Sequence, residues 1–141
     1  MEQQFNRFKD APWFPKENEM VMIGGAGGIG SWLTLFLARA GFKPIVYDFD
    51  VIEEHNTGGQ LFRQSDVGRF KVDALFQIVR EFANESINSI NIAIDANSPT
   101  HAFMFSAFDN MRARKDLFEV WKKSFANSPV KPIFIDGRLV K

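Results

Sequence analysis

The chain has 141 residues, 45% of them hydrophobic and 24% charged, which fits one folded domain and excludes a disordered segment. Its 17 basic and 17 acidic side chains cancel, so no net charge draws it toward nucleic acid or an anionic membrane. With no cysteine and only two histidines, His55 and His101, the sequence excludes disulfides, thiolate zinc sites, thiol nucleophiles and a histidine-built metal centre.

Residues 1–19 read as an arm, because Pro12 and Pro15 bracket Trp13 and Phe14 and disfavour a continuous helix. Residues 20–141 read as a single domain. Met20 to Ile23 is a short apolar run ending in glycines, the pattern of a buried strand. Trp32 to Arg39 is apolar nearly all round, with Gly41 as its stop, so a buried helix is expected. Pro44 to Tyr47 is a second strand that ends at Asp48. After a polar stretch from Asp50 to Ser65, the stripe Val72, Leu75, Phe76, Val79 and Phe82 has helical spacing. Strands are expected over Asn91 to Ala96 and Ala102 to Phe108. Only the Asn97-Ser98-Pro99 turn separates them, so they are candidates for antiparallel neighbours. Leu117, Phe118, Trp121 and Phe125 mark another amphipathic helix, and Pro132 to Ile135 a last strand ending at Asp136.

This alternation implies an α/β fold, a Rossmann-like and mostly parallel sheet with helices on both faces. Ligands bind outside the carboxyl ends of strands in such sheets. Here those ends carry Gly24-Gly25, Asp48, Asp109 and Asp136. The 16 phenylalanines and 3 tryptophans are many for a small interior, which leaves some rings available for a protein contact, a homodimer being the commonest form. No apolar run approaches the roughly 20 residues that span a bilayer, and the first residues lack the order of a signal peptide. A cytoplasmic location is the expectation.

Gly25, Gly27 and Gly30 fit G-x-G-x-x-G between a predicted strand and a predicted helix. Glycines permit the tight turn and let backbone N–H groups approach a phosphate at a helix N-terminus. Asp48, at the end of the next strand, is placed to accept hydrogen bonds from ribose hydroxyls. Alone, these features suit an adenine nucleotide on a Rossmann-like half, and an NAD-binding oxidoreductase domain is one reading of them.

Further motifs follow in order: the doubled glycines of Gly24 to Ser31, Asp48-Phe49-Asp50, Asn56, Gln60, Val67-Gly68-Arg69-Phe70-Lys71, and Asp109-Asn110 with Arg114. The series, spread over residues 20 to 136, resembles the ThiF-type, ubiquitin-activating-enzyme-like adenylyltransferases. That resemblance implies ATP-dependent adenylation of a carboxylate, commonly the C-terminus of a ubiquitin-like or sulfur-carrier protein. It implies that Gly25, Ala26, Gly27, Gly28, Ile29 and Gly30 line the nucleotide phosphates, that Asp48 holds the ribose, and that Asn56 and Lys71 face the phosphates. It also implies that Gln60 belongs to the same nucleotide site and that Asp109 ligates Mg²⁺. Charge builds on the phosphoryl oxygens and the departing pyrophosphate, so a fixed ammonium and a magnesium ion suit the reaction.

Each residue also has an ordinary structural reading. Lys71 fits a solvated helix start, Asp109 a helix N-cap, and Asp50 either the nucleotide or a turn cap. Arg112 and Arg114, in the first turns of a helix, suit a solvated face, with pairing of one of them to an acidic partner as the alternative. The family pattern N-L-x-R-Q, whose arginine contacts the terminal phosphates, here reads Asn56-Thr57-Gly58-Gly59-Gln60, with Gly59 in the arginine's place. Arg63 or Arg69 is a candidate to reach those phosphates instead, and Arg7 a candidate to act on a partner copy. The sheet is expected to be truncated at its C-terminal end. A non-catalytic subunit of a larger activating complex is the alternative to an enzyme.

Overall fold

The computed structural model describes residues 2–17 and 19–138. Five strands form one sheet: β1 (Met20–Gly24), β2 (Lys43–Tyr47), β3 (Asn88–Ile90), β4 (Phe103–Ser106) and β5 (Ile133–Asp136). Three helices accompany them among the described residues: α1 (Gly30–Arg39), α2 (Lys71–Ala83) and α3 (Met111–Ser124). The spatial order is β3-β2-β1-β4-β5 and every pairing is parallel. The chain therefore builds outward from β1 to β3 and then crosses back to β4. The order reverses between β1 and β4, where Gly24 pairs with Ser106 at the carboxyl ends. A crevice opens at such a switch point because the flanking connections leave on opposite faces.

Alternation along the central strands sorts the core into two layers. Val21, Ile23 and Val46 pack with Ala38 of α1 and with Ala74, Leu75, Ile78 and Val79 of α2. Met22, Ile45, Tyr47 and Met104 face the other way, where Leu117 of α3 and the half-buried Trp121 and Phe134 close over them. The Rossmann-like architecture read from the sequence, with helices on both faces, is thus the one observed.

The expected strand over Asn91 to Ala96 is not formed. The hydrogen-bonded stretch lies earlier, at Asn88–Ile90, and pairs in parallel with β2. The antiparallel pairing of 92–96 with 102–108 does not exist, since β4 pairs with β1 and β5. Alternation reports which side chains are buried, not which backbones are partnered. Ile94 is indeed buried, but as part of a crossover segment, while Ile92 is exposed. The stripe on α2 also needs correcting at its end: Val72, Leu75 and Val79 are buried, Ile78 joins them, and Phe82 is 57% exposed.

The N-terminal segment carries a short 3-10 turn at Glu2–Phe5, and the rings of Phe5, Phe8, Trp13 and Phe14 cluster, Phe8 stacking on Trp13 and the other pairs meeting edge-on or tilted. Gln4 ties it to the end of α2 by donating to the carbonyl of Ala83 and to Glu85. Gly41, at φ +99°, lies so close to Phe14 that a Cβ would stand 2.8 Å from the ring.

Candidate functional site

Three adjoining cavities of about 560, 370 and 350 Å³ run along the carboxyl rim of the sheet. Asp109 lines all three. The glycine turn, Asp48, Asp50, Gln60 and Lys71 share the 350 Å³ cavity with it. The sequence-separated motifs are thus assembled around one space.

The turn after β1 is shaped by its glycines. Gly25 sits at φ +101°, and a Cβ there would stand 2.8 Å from the carbonyl oxygen of Ala107. A Cβ on Gly30 would lie 1.7 Å from the Gly25 carbonyl oxygen, so the first residue of α1 has room only for glycine. No side chain caps α1, and its first turn holds no acidic residue. Its leading N–H groups, at the positive end of the helix dipole, are therefore suited to an anion.

Asp48 organises this turn. Its Oδ2 accepts the Ala26 N–H and its Oδ1 the Asp50 N–H, both at 2.8 Å. Each carboxylate oxygen keeps a further lone pair for a ligand hydroxyl. The next segment then folds back. Val51 bridges Phe70, Ile52 donates to Arg69 O, and Lys71 N donates to Asp50 O. This pairing sets the Lys71 ammonium 3.6 Å from the Asp50 carboxylate. Lys71 is only 7% exposed, so it is not a solvated surface lysine. A buried ammonium with one loosely placed carboxylate is poised for additional anionic partners.

Asn56 and Gln60 come from the 3-10 turn at Glu54–Gly58 and its exit. Asn56 Oδ1 accepts the Glu53 N–H at 2.8 Å. That assigns the oxygen to the turn and leaves the amide donors for the cavity it lines. Helix α1 holds the exit of the turn: Trp32 Nε1 donates to Gly59 O at 2.9 Å, and Ser31 Oγ accepts the Leu61 N–H at 3.2 Å. Gln60 Oε1 is buried without a hydrogen-bond partner among the described residues. An orphaned polar atom lining a cavity marks a place where a ligand donor fits.

Asp109 does not cap α3. The cap is Asn110, whose Oδ1 accepts the Ala113 N–H at 3.0 Å, and the Asp109 carboxylate is left to the cavities. Arg114 is not on a solvated face either. It is 4% exposed and binds Asp136 at the end of β5, with Nε 2.7 Å from Oδ1. Asp136 is therefore engaged with α3 rather than offered to the rim. Arg63 lines none of the three cavities. Its Nε and Nη2 grip Asp66, and Nη1 reaches Glu81. Arg69 is likewise held by Asp66 and Gln77.

Several lining residues carry no motif. Tyr47, Phe49, Ala93, Ile94, Phe108 and Ala113 make the 370 Å³ cavity partly apolar, suited to a flat ring. Glu53 and His55 line the 560 Å³ cavity, and Arg138 the 350 Å³ one. The apolar residues had no signal short of the tertiary fold. Arg138 had one: it lies just past the carboxyl end of β5, the end at which these sheets bind ligands.

The ThiF family model matches residues 16–126. The catalytic subunit of the NEDD8-activating enzyme E1 of Caenorhabditis elegans is 39% identical over 80 residues, which are 50% of this chain and 19% of that protein. The adenylyltransferase and sulfurtransferase uba4 of Neosartorya fischeri is 43% identical over 63 residues, 43% of this chain and 13% of that protein. The structure of Escherichia coli tRNA N6-threonylcarbamoyladenosine dehydratase, TcdA, in complex with ATP superposes with a TM-score of 0.73 at 20% identity, covering 96% of this chain and 54% of that one. The chain thus spans about a fifth or less of these two curated relatives' lengths.

Proposed function

Since the chain belongs to the ThiF family, we propose that its rim binds ATP with Mg²⁺ and activates a carboxylate by adenylation. The observation that carries this reading is that Lys71 and Asp109 line the same cavity as the glycine turn and Asp48. The partly apolar cavity between Ile94 and Phe108 takes the adenine ring, and Asp48 the ribose hydroxyls. The glycine turn lies along the phosphates, and Asn56, Gln60 and Lys71 face them.

In the reaction, a carboxylate oxygen attacks the α-phosphorus. The bond from that phosphorus to the bridging oxygen of the β-phosphate breaks, and pyrophosphate leaves with the electron pair. The acceptor then carries an acyl adenylate. The nucleophile is already ionised at neutral pH, so no general base is needed. The N–H groups of the glycine turn and the Lys71 ammonium stabilise charge as it gathers on the phosphoryl oxygens. Magnesium supplies further positive charge at those oxygens when bound. Asp109 would hold it, with Asp50 lining the same space; one or two carboxylates suffice beside phosphates. The acceptor is read as the C-terminus of a ubiquitin-like or sulfur-carrier protein, the chain as a homodimer, and its location as the cytoplasm, where ATP and magnesium are abundant.

Calorimetry tests the reading. ATP–Mg²⁺ is expected to bind and NAD not. Lys71→Ala is expected to weaken ATP binding by about tenfold or more, with Lys16→Ala without effect. Preference for NAD, or equal effects of the two lysine variants, would overturn it. Isotope exchange between pyrophosphate and ATP, driven by a carrier-protein C-terminus, then reports turnover. Nucleotide binding without exchange would mark a non-catalytic subunit.

A further inference from the structure

If the rim holds a triphosphate, as just proposed, its own charges oppose it. Asp48, Asp50 and Asp109 line the cavity of the glycine turn, and the ammonium of Lys71 there already faces Asp50 at 3.6 Å. The arginines nearest in sequence are committed elsewhere: Arg63 to Asp66 and Glu81, Arg69 to Asp66 and Gln77. Among the described residues, the one arginine lining any of the three rim cavities is Arg138.

The backbone leading to it is held from both sides. Gly137 N donates to Ser106 O at 2.8 Å, carrying the β4–β5 pairing one residue beyond the strand. The buried Arg114 clasps Asp136 and reaches the Gly137 carbonyl at 3.5 Å. Gly137 also lies beside the glycine turn, where a Cβ would meet Ile29 Cδ1 at 3.4 Å, an ordinary van der Waals contact. Arg138 thus leaves the backbone beside the turn itself. Among the described residues its guanidinium meets no carboxylate; its one hydrogen-bond acceptor is the weak thioether of Met111, at 3.5 Å. Arg138 is absent from the lining of the apolar cavity beside Tyr47 and Ile94, so it belongs to the phosphate end of the rim and not the base end.

We propose that Arg138 binds the triphosphate beyond its α-phosphate, as a second cation of the site beside Lys71. A guanidinium suits this role because its planar fork can meet two phosphate oxygens at once. The proposal rests on the ATP reading, and comparison of ATP with AMP separates the two. The wild-type chain, Arg138→Ala and Arg138→Glu are titrated calorimetrically with ATP–Mg²⁺ and with AMP. Arg138→Ala is expected to weaken ATP binding about 10- to 100-fold, the range of a charge-assisted hydrogen bond, and to leave AMP within about twofold. Arg138→Glu is expected to lose more ATP affinity than Arg138→Ala, again with AMP retained, which also shows that the variants fold. Unchanged ATP affinity in Arg138→Ala, an equal loss for ATP and AMP, or a loss in Arg138→Glu no greater than in Arg138→Ala would each overturn the role of Arg138 while leaving the ATP reading in place. A wild-type chain that binds neither nucleotide would remove the ATP reading and this proposal with it.

Discussion

Asp66 shows how a residue outside the cavities keeps the site in register. It is almost wholly buried, yet its carboxylate accepts from Arg63 Nε at 2.9 Å, Arg63 N at 2.9 Å and Arg69 Nη1 at 3.1 Å. Burial by itself pushes this carboxyl up, but the Arg63 hydrogen bonds and the positive charge of Arg63 and Arg69 outweigh it and hold it below the ordinary carboxylate range. The folded value lies below the unfolded one. The stabilisation is therefore complete above the unfolded value of about 3.9 and is lost as the pH falls through the folded value. Denaturant titrations across this acid range should show wild type losing its margin over Asp66→Asn as the pH falls. At neutral pH the variant should be less stable by about 2 kcal/mol, the range for hydrogen bonds made to a charged group. A constant difference at every pH would contradict this account.

At the scale of elements, α2 does two jobs with two ends. Its body anchors the core through Leu75, fully buried in the cluster that holds Val21, Ile23 and Val46, while Lys71 at its first turn lines the rim cavities. Its C-terminus closes with Asn84 in the left-handed region at φ 55°. The amphipathic stripe fades toward this end, which is why Phe82 is largely exposed. Leu75→Ala should therefore destabilise the fold by about 2–5 kcal/mol, the range for emptying a packed core site. Phe82→Ala should cost under about 1 kcal/mol. Chemical denaturation midpoints read the difference directly, and comparable losses would contradict the assigned packing. Helix α3 divides its work similarly: Leu117 seals the opposite face, and Arg114 locks the end of β5 beside the rim.

Across the whole molecule, the two faces are unequally covered. On the side of α1 and α2, an apolar cleft of about 390 Å³ runs from Trp13 and Phe14 past Leu37 and Phe105 to Ile133 and Ile135. Those two isoleucines, on the edge strand β5, are each 46% exposed. Apolar edge strands favour pairing or cover. Under the homodimer reading, light scattering should give a mass of two chains, and Ile133→Glu together with Ile135→Glu should shift it toward one. A mass of 16.1 kDa for the unmodified chain would exclude self-association. Among the described residues no helix is long and apolar enough to cross a membrane.

The alternation of apolar segments and the glycine punctuation determined the parallel α/β architecture, because period and turn chemistry are local properties of a chain. The same local logic set Gly25, Asp48 and Asp109 at strand ends, where such folds bind ligands, whereas Lys71 stood out only through the resemblance to the ThiF-type adenylyltransferases. Partnership was decided only in three dimensions. Whether Arg63 reaches the rim or Asp66, whether Asp109 or Asn110 caps α3, and whether Arg114 is solvated or clasped by Asp136 depend on distances between segments far apart in sequence. The crossover from β3 to β4 was misread for the same reason: its alternating residues supplied burial for Ile94 without a neighbouring backbone to bond. Sequence spacing specifies which way a side chain faces, and tertiary packing specifies what it meets there.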